Sequence, residues 1–363
     1  MNPILLIKTA ALGDVIRTTS ILPGLHERYE EASVTWLTAP GAVDLLRTHP
    51  LIRRIETVDI HSNPSVESAI ERLKSTRWAR VLSLDDDPPL ARLASAVPSR
   101  RLSGVYCRSD GSLAYTPDSA PWNDMGLLSV YGKTVADRMK VANEKSHARI
   151  LADMLGLRMD EPKLHLPAET VSFAERFAER SGLRERGLVI GLNAGGGGRW
   201  AAKRLPVDRS VALLSAIDRA LGGKVTFLIL GGRDEKERNE EIRAGLAREP
   251  ACPRAVDGGS ENTLLEFGAL LKQCDLVVSS DSLALHMCVA VAVRAVGFFA
   301  PTSAAEIELY GRGEKIRSTS PDYCSYRREA DNSTITTERL LEAVMRQLAE
   351  CGPAGRARGV APA

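Results

Sequence analysis

Short apolar runs and helical stretches alternate along almost this whole chain, and that alternation leaves few folds open. Residues 4–8, 33–38, 54–58, 80–84 and 101–106 read as strands, with helices over 42–48, 64–75 and 89–96 between them. Asn63 is the expected cap of the second of these helices, with Pro64 in its first turn. A glycine-, proline- and aromatic-rich stretch over 110–139 then breaks the pattern, and irregular segments of such length tend to carry function. A helix over 143–155 and a polar, proline-containing link over 158–170 follow. Strands at 188–193, 224–230, 275–279 and 294–299 then alternate with helices at 207–221, 234–248 and 264–272 and one reaching about residue 292. Such a sequence builds parallel sheets covered on both faces. At about 150 residues per domain, 363 residues make two of them.

The expected architecture is therefore α/β, with two Rossmann-like doubly wound domains, residues 1–165 and 170–335, facing each other across a cleft. An amphipathic helix over about 336–350 is expected to return to the first domain, and residues 352–363 read as a disordered tail. In such sheets ligands bind outside the carboxyl ends of the strands.

Composition excludes several classes. Forty-eight Lys and Arg against 46 Asp and Glu leave a formal charge of +2, so no global field draws nucleic acid. The six cysteines never form a C-x-x-C pair, which argues against a zinc ribbon, an iron–sulfur cluster or a disulfide scaffold and fits a reducing cytoplasm. The opening apolar run is too short for an export signal, and the stretch 283–300 carries His286 and Arg294, unlike a membrane span. A cytoplasmic protein, at most peripheral to a membrane, is expected.

Every loop with chemical promise follows a strand. Gly13-Asp14 opens a helix, so Asp14 is either its cap or a general base, with Gly13 allowing close approach of a ligand. Gly195 and Gly196, with Lys203 behind them, suit a diphosphate as well as they suit a plain flexible loop. Asp281, Ser282 and Leu283 begin a helix whose fourth residue or so is His286, placed to meet an anion or simply to pack. After the strand at 224–230, Asp234 is a candidate cap and the neighbouring acid a candidate partner for ribose hydroxyls. Asp85-Asp86-Asp87 point in different directions, so structural or acceptor-contacting roles outweigh metal ligation, and the scattered histidines have no ligand spacing. No G-x-G-x-x-G, G-x-x-x-x-G-K-[ST] or G-x-S-x-G motif is present.

Taken together, these motifs resemble bacterial heptosyltransferases, glycosyltransferase family 9. ILLIKTAALGDVIRTTSILPGL resembles the family's opening strand, small-residue loop, Gly-Asp and helix. VVSSDSLALHMCVAVAVRAVGFFAPTSAAE resembles its Asp-Thr-Gly-x-x-His helix and following Gly-Pro-Thr strand end. Lys203 in AAKRLP and Glu235 in LGGRDE fall between them in the family's order. The resemblance implies a GT-B fold and an inverting, metal-independent transfer, with no cofactor. The donor would be a nucleotide sugar, typically ADP-heptose, and the acceptor a lipopolysaccharide-core or related glycan. It further implies Asp14 as the base and Lys203 as the group offsetting charge on the departing diphosphate. Gly195, Gly196, Glu235, Asp281, Ser282, Leu283 and His286 would line the donor site; Gly13, Asp85 and Trp122, the last from the irregular 110–139 segment, are assigned to the acceptor.

Ser282-Leu283 replace the family's Thr-Gly, Ala300-Pro301-Thr302-Ser303 its Gly-Pro-Thr-Asp, and Leu205 a frequent tryptophan. All three departures fall around the donor, so its identity is less secure than transfer itself. A nucleotide-sugar epimerase and a non-catalytic nucleotide- or glycan-binding relative stay open as alternatives. Arg53, Arg54, Arg72, Lys74, Arg77, Arg80, Arg100 and Arg101 enrich the first half in positive charge, which would suit a cytoplasmic leaflet carrying a lipid-linked acceptor or be balanced by nearby acids.

Overall fold

The computed structural model describes residues 2–197 and 200–350. Gly198 and the expected tail at 352–363 lie outside them. The chain forms two compact units. The first comprises Met1–His165 with Ala305–Glu308, and the second Leu166–Ala304 with Leu309–Ala363.

In the first unit, strands β1 (Asn2–Ile7), β2 (Ala32–Thr38), β3 (Arg54–Thr57), β4 (Arg80–Ser83), β5 (Leu102–Cys107) and β6 (Leu113–Tyr115) form one sheet in the order β3-β2-β1-β4-β5-β6. All neighbours are parallel except β5 and β6. Ile4, Leu5, Leu6 and Ile7 are fully buried, as a strand covered on both faces requires. Helices α1 (Leu12–Thr18), α2 (Leu22–Arg28), α3 (Asn63–Leu73) and α4 (Pro88–Ala96) follow the strands. Leu5 and Ile7 pack with Val66, Ile70 and Leu73 of α3 and Leu90 and Leu93 of α4 on one face.

Local differences from the sequence reading have local causes. The helix expected at 42–48 is a single 3-10 stretch, Pro40–Leu45, begun by Pro40 and Gly41. Ser62, not Asn63, caps α3, accepting from the Ser65 N–H. The 110–139 segment is less irregular than its composition suggests. It holds β6, α5 (Ala120–Asn123) and most of α6 (Lys133–Ala142), and α7 (His147–Leu155) then starts at its own cap, Ser146.

The second unit repeats the plan with β7 (Leu188–Asn193), β8 (Val225–Ile229), β9 (Ala255–Asp257), β10 (Leu276–Ser280), β11 (Ala295–Phe299) and β12 (Gly313–Arg317), all parallel, in the order β12-β11-β10-β7-β8-β9. Its helices are α8 (Ala168–Arg180), α9 (Val207–Ala220), α10 (Lys236–Arg248), α11 (Leu264–Leu271), α12 (Leu283–Ala290) and α13 (Thr337–Glu350). Helix α8 and edge strands β9 and β12 escape the sequence reading: β9 is only three residues long, and β12 carries three charges in its five residues. The terminal helix α13 belongs to the second unit rather than the first. Its Leu340, Ala343 and Val344 join Leu213 and Ile217 of α9 and Val296 of β11 in the core.

Candidate active site

Both sheets reverse their strand order at one place, between β1 and β4 and between β7 and β10. At such switch points neighbouring loops diverge and leave a crevice at the strand ends. The loops after these four strands hold most of the residues singled out from sequence.

In the first unit, the β1–β4 register sets Ile7 beside Ser83, so the two strands leave the sheet side by side, with Lys8 one residue beyond the last pair and Asp85 two. The Lys8 ammonium pairs with the Asp85 carboxylate. The other Asp85 oxygen accepts from the Thr9 N–H at 2.6 Å and the Thr9 hydroxyl at 2.8 Å. Burial opposes the charge on Lys8, but Asp85 and then Asp14 outweigh it and hold its pKa above the ordinary lysine value. Asp14 lies at the third position of α1, whose cap is Ala11, so helix capping is not its task. Its carboxylate, one-third exposed, stands 3.8 Å from Lys8 Nζ and 3.0 Å from an Arg17 guanidinium nitrogen.

Arg17 is fixed in turn. Its guanidinium lies 5.7 Å from the Trp122 ring centroid and 4.0 Å from the Glu306 carboxylate. Trp122 meets His147 edge-on at 4.7 Å, and the His147 N–H donates to the Glu306 carbonyl at 2.9 Å. The arrangement holds a partly exposed carboxylate between two oriented cations on rigid supports. Such a group is suited to receiving a proton from a bound hydroxyl.

In the second unit, the loop leaving β7 is tied to β10. The Ser280 hydroxyl donates to the Gly195 carbonyl, and the Ser282 hydroxyl donates to Asn193 Oδ1 at 3.2 Å. Ser282 stands at the N-cap of α12, but its side chain makes no capping bond to the helix. Lys203 Nζ donates to the Asp281 carbonyl at 2.7 Å and to its carboxylate at 2.9 Å, and His286 Nε2 lies 3.7 Å from the other carboxylate oxygen. Burial pushes the Asp281 carboxyl up, but Lys203 and then His286 prevail and hold it at about 2. A lysine and the positive end of a helix thus converge beside a glycine loop, which suits a phosphate group.

The glycines are required by packing. A Cβ on Gly195 would stand 2.2 Å from Glu235 Cγ, and one on Gly196 2.6 Å from Lys203 Cβ. Glu235 joins two loops by accepting from the Gly197 N–H at 3.1 Å and the Gly232 N–H at 2.9 Å. Glu235, not Asp234, therefore serves this turn. Leu205 is buried, and its N–H donates to the Ala194 carbonyl at 3.0 Å. Asn332 holds the loop from outside by donating to the carbonyls of Ala202 and Arg204 at 3.1 and 2.9 Å.

Within the first unit, one network thus gathers Asp14, Asp85 and Trp122, with Gly13 buried in the first turn of α1. Asp85 is turned to Lys8 and Thr9. Within the second, Gly195, Gly196, Lys203, Glu235, Asp281, Ser282 and His286 gather around the β7 and β10 loops, and Leu283 is the first residue of α12. Lys8, Arg17 and Glu306 are absent from the sequence reading. A lysine closing an otherwise apolar strand is a signal that could have found Lys8; Glu306 has no local signal. Among the described residues no group of three or more His, Cys, Asp or Glu side chains could hold a metal ion.

Two doubly wound units whose switch-point loops carry charge and glycine define a ligand-binding type of α/β protein. The sequence model of Glycosyltransferase family 9 (heptosyltransferase) matches residues 124–335, more than half of the chain, and the chain belongs to that family. It is accordingly a glycosyltransferase of GT-B fold. No curated protein matches the chain significantly. Among solved structures it is similar to the glycosyl transferase family 9 from Veillonella parvula DSM 2008, with a TM-score of 0.74 and 18% identity over 96% of this chain and 98% of that one. It is also similar to E. coli ADP-heptose lps heptosyltransferase II, with a TM-score of 0.65 and 19% identity over 96% and 99% of the two chains. E. coli heptosyltransferase WaaC, solved with ADP, has a TM-score of 0.57 and 15% identity over 99% and 100%. At these identities the likeness concerns the fold.

Proposed function

We propose that the protein moves heptose from ADP-heptose to a hydroxyl of a lipopolysaccharide-core or related glycan, with inversion and without a metal. The observation that carries this reading is the convergence of Lys203, Asp281 and His286 on the glycine loop at the second unit's switch point. Family membership supports the reaction class. The likeness to a heptosyltransferase solved with ADP supports the choice of nucleotide.

In the proposed reaction the acceptor hydroxyl oxygen attacks the anomeric carbon opposite the diphosphate, and the bond from that carbon to the diphosphate oxygen breaks. Asp14 takes the hydroxyl proton. Lys203 offsets the negative charge that grows on the departing ADP, a task that a divalent metal performs in other transferases. Glu235 accepts from the ribose hydroxyls, and Asp281, Ser282, Leu283 and His286 hold the diphosphate and sugar. Gly13, Asp85 and Trp122 border the acceptor. A lipid-linked acceptor would bring the protein, as a peripheral visitor, to the cytoplasmic face of the inner membrane.

Calorimetric or thermal-shift binding of ADP, UDP, GDP and CDP, without metal, to the wild type and Lys203→Ala tests this reading. ADP at about 100 times its dissociation constant should stabilise the protein by roughly 2.7 kcal/mol, and the gain should shrink in the variant. Preference for UDP or GDP would discard ADP-heptose while keeping the transferase. Binding of none of the four would overturn the donor site, and loss of transfer in EDTA would overturn metal independence.

A further inference from the structure

Among the described residues the large apolar side chains left exposed are four, and all lie within one fifteen-residue stretch: Leu127 (88% exposed), Val130 (73%), Tyr131 (57%) and Val141 (54%). A soluble surface normally scatters such residues singly, so gathering them marks an interaction site. The stretch runs from the loop after α5 through α6, a ten-residue helix that buries Ala136 alone. The loop is not loosely held. The Tyr115 hydroxyl donates to Asp124 at 2.5 Å and accepts from the Val130 N–H at 3.2 Å, which fixes its base while its apolar side chains remain in solvent.

Between Tyr131 and Val141 stand Lys133, Arg138 and Lys140, with Lys145 just beyond, against Asp137 and Glu144. Lys133 pairs with Asp137 and Lys145 with Asp153, but these are solvent-exposed contacts of the weak kind that a lipid phosphate can displace. That mixture selects the kind of partner. The covered centre of a protein–protein interface is depleted of lysine, and a stable interface needs about 800 Å² from each side. A few apolar side chains among lysines form instead a wedge for the headgroup region of an anionic bilayer, where acyl chains take the apolar tips and lipid phosphates take the cations. Several basic residues of the earlier strands and helices are engaged elsewhere. Arg54 and Arg72 pair with Glu56, Lys74 with Glu71, and Arg80 and Arg101 with Asp118.

The position fits an enzyme that works on a lipid-borne acceptor. Leu127 lies five residues beyond Trp122, whose ring stacks beneath the Arg17 guanidinium that pairs with Asp14. We infer that the 127–141 surface docks the protein on an anionic lipid bilayer, with Leu127, Val130 and Tyr131 entering the headgroup layer. The inference takes only the lipid-linked nature of the acceptor from the proposed function.

Flotation of the full chain with phosphatidylglycerol-containing vesicles and with pure phosphatidylcholine vesicles, at low and high salt, tests it. The wild type should float with the anionic vesicles, less so in high salt. Leu127→Ser/Val130→Ser/Tyr131→Ser should bind them at least tenfold more weakly with the same unfolding midpoint and the same ADP affinity. Tyr131→Trp should show a blue-shifted emission on anionic vesicles. Failure of the wild type to float, equal flotation of the triple variant, or an emission from Tyr131→Trp that anionic vesicles leave unshifted would overturn docking. So would light scattering that finds a dimer broken by the triple-serine variant without vesicle binding, since a second copy would then cover the surface. Vesicle binding without ADP binding would sink the donor assignment and leave this inference standing.

Discussion

The ammonium of Lys203 reaches two oxygens of Asp281, the main-chain carbonyl and one of the carboxylate pair, from 78 positions earlier in the chain. That grip fixes a long, flexible side chain at the start of α12, so a diphosphate arriving there would meet a cation already in place. Preorganised charge of this kind needs no reorganisation when the leaving group develops its own.

Lys203→Ala is therefore expected to slow transfer by about 100- to 1,000-fold, measured as turnover at saturating donor. It also carries a stability signature. In the folded protein Asp281 titrates at about 2 rather than 3.8, so its contribution, roughly 2 kcal/mol, is present above about pH 4 and is lost as pH falls towards 2. Denaturant titrations across that range should show a shallower acid slope in the variant.

Asp14→Asn keeps the side chain's size and removes its capacity to accept a full proton. Transfer should drop by about 100- to 10,000-fold while the ADP thermal shift stays at its wild-type value. Loss of ADP binding in step with activity would mean that Asp14 serves the donor instead.

Gly195→Ala should weaken ADP binding about tenfold or more through packing alone. The new methyl would force Glu235 aside and break its bonds from the Gly197 and Gly232 N–H groups. Calorimetry on this variant, beside Glu235→Gln, separates the position of the carboxylate from its charge.

His49 provides a test away from the chemistry. Burial, reinforced by His165 whose ring meets it edge-on at 4.9 Å, lowers its pKa from 6.5 to about 4. The unfolded chain therefore binds a proton that the folded one refuses. Stability should be full above about pH 6.5 and fall by roughly 3 kcal/mol as pH drops to 4. His49→Leu should flatten that part of the curve, read from denaturant midpoints at each pH.

How much of this was legible in the sequence depended on how local each signal was. The parallel sheets showed because β1, β7 and β10 are buried on both faces and so read as continuous apolar runs. Gly13-Asp14 and Asp281-Ser282 stood out because a strand end followed by a helix start is a local event. The groups that hold Lys8 and Arg17 beside Asp14 did not. Lys8 and Asp85 are 77 residues apart and meet only through the β1–β4 register, and Glu306 reaches Arg17 across nearly 300 positions. The cap of α3 shows the limit at short range, where Ser62 and Asn63 are both competent residue types and geometry selects the serine.

The return of Ala305–Glu308 to the first unit governs how this gene could be divided. A fragment ending at His165 would encode every strand of the first sheet yet omit the carbonyl that receives the His147 N–H and the carboxylate facing Arg17. Its Asp14 would then be steered by a guanidinium that had lost one of its anchors. Shuffling first units between relatives at the central link would thus exchange most of a site but leave behind four residues encoded 140 positions downstream, and hybrids would keep a native first unit only if that short insert travelled with it.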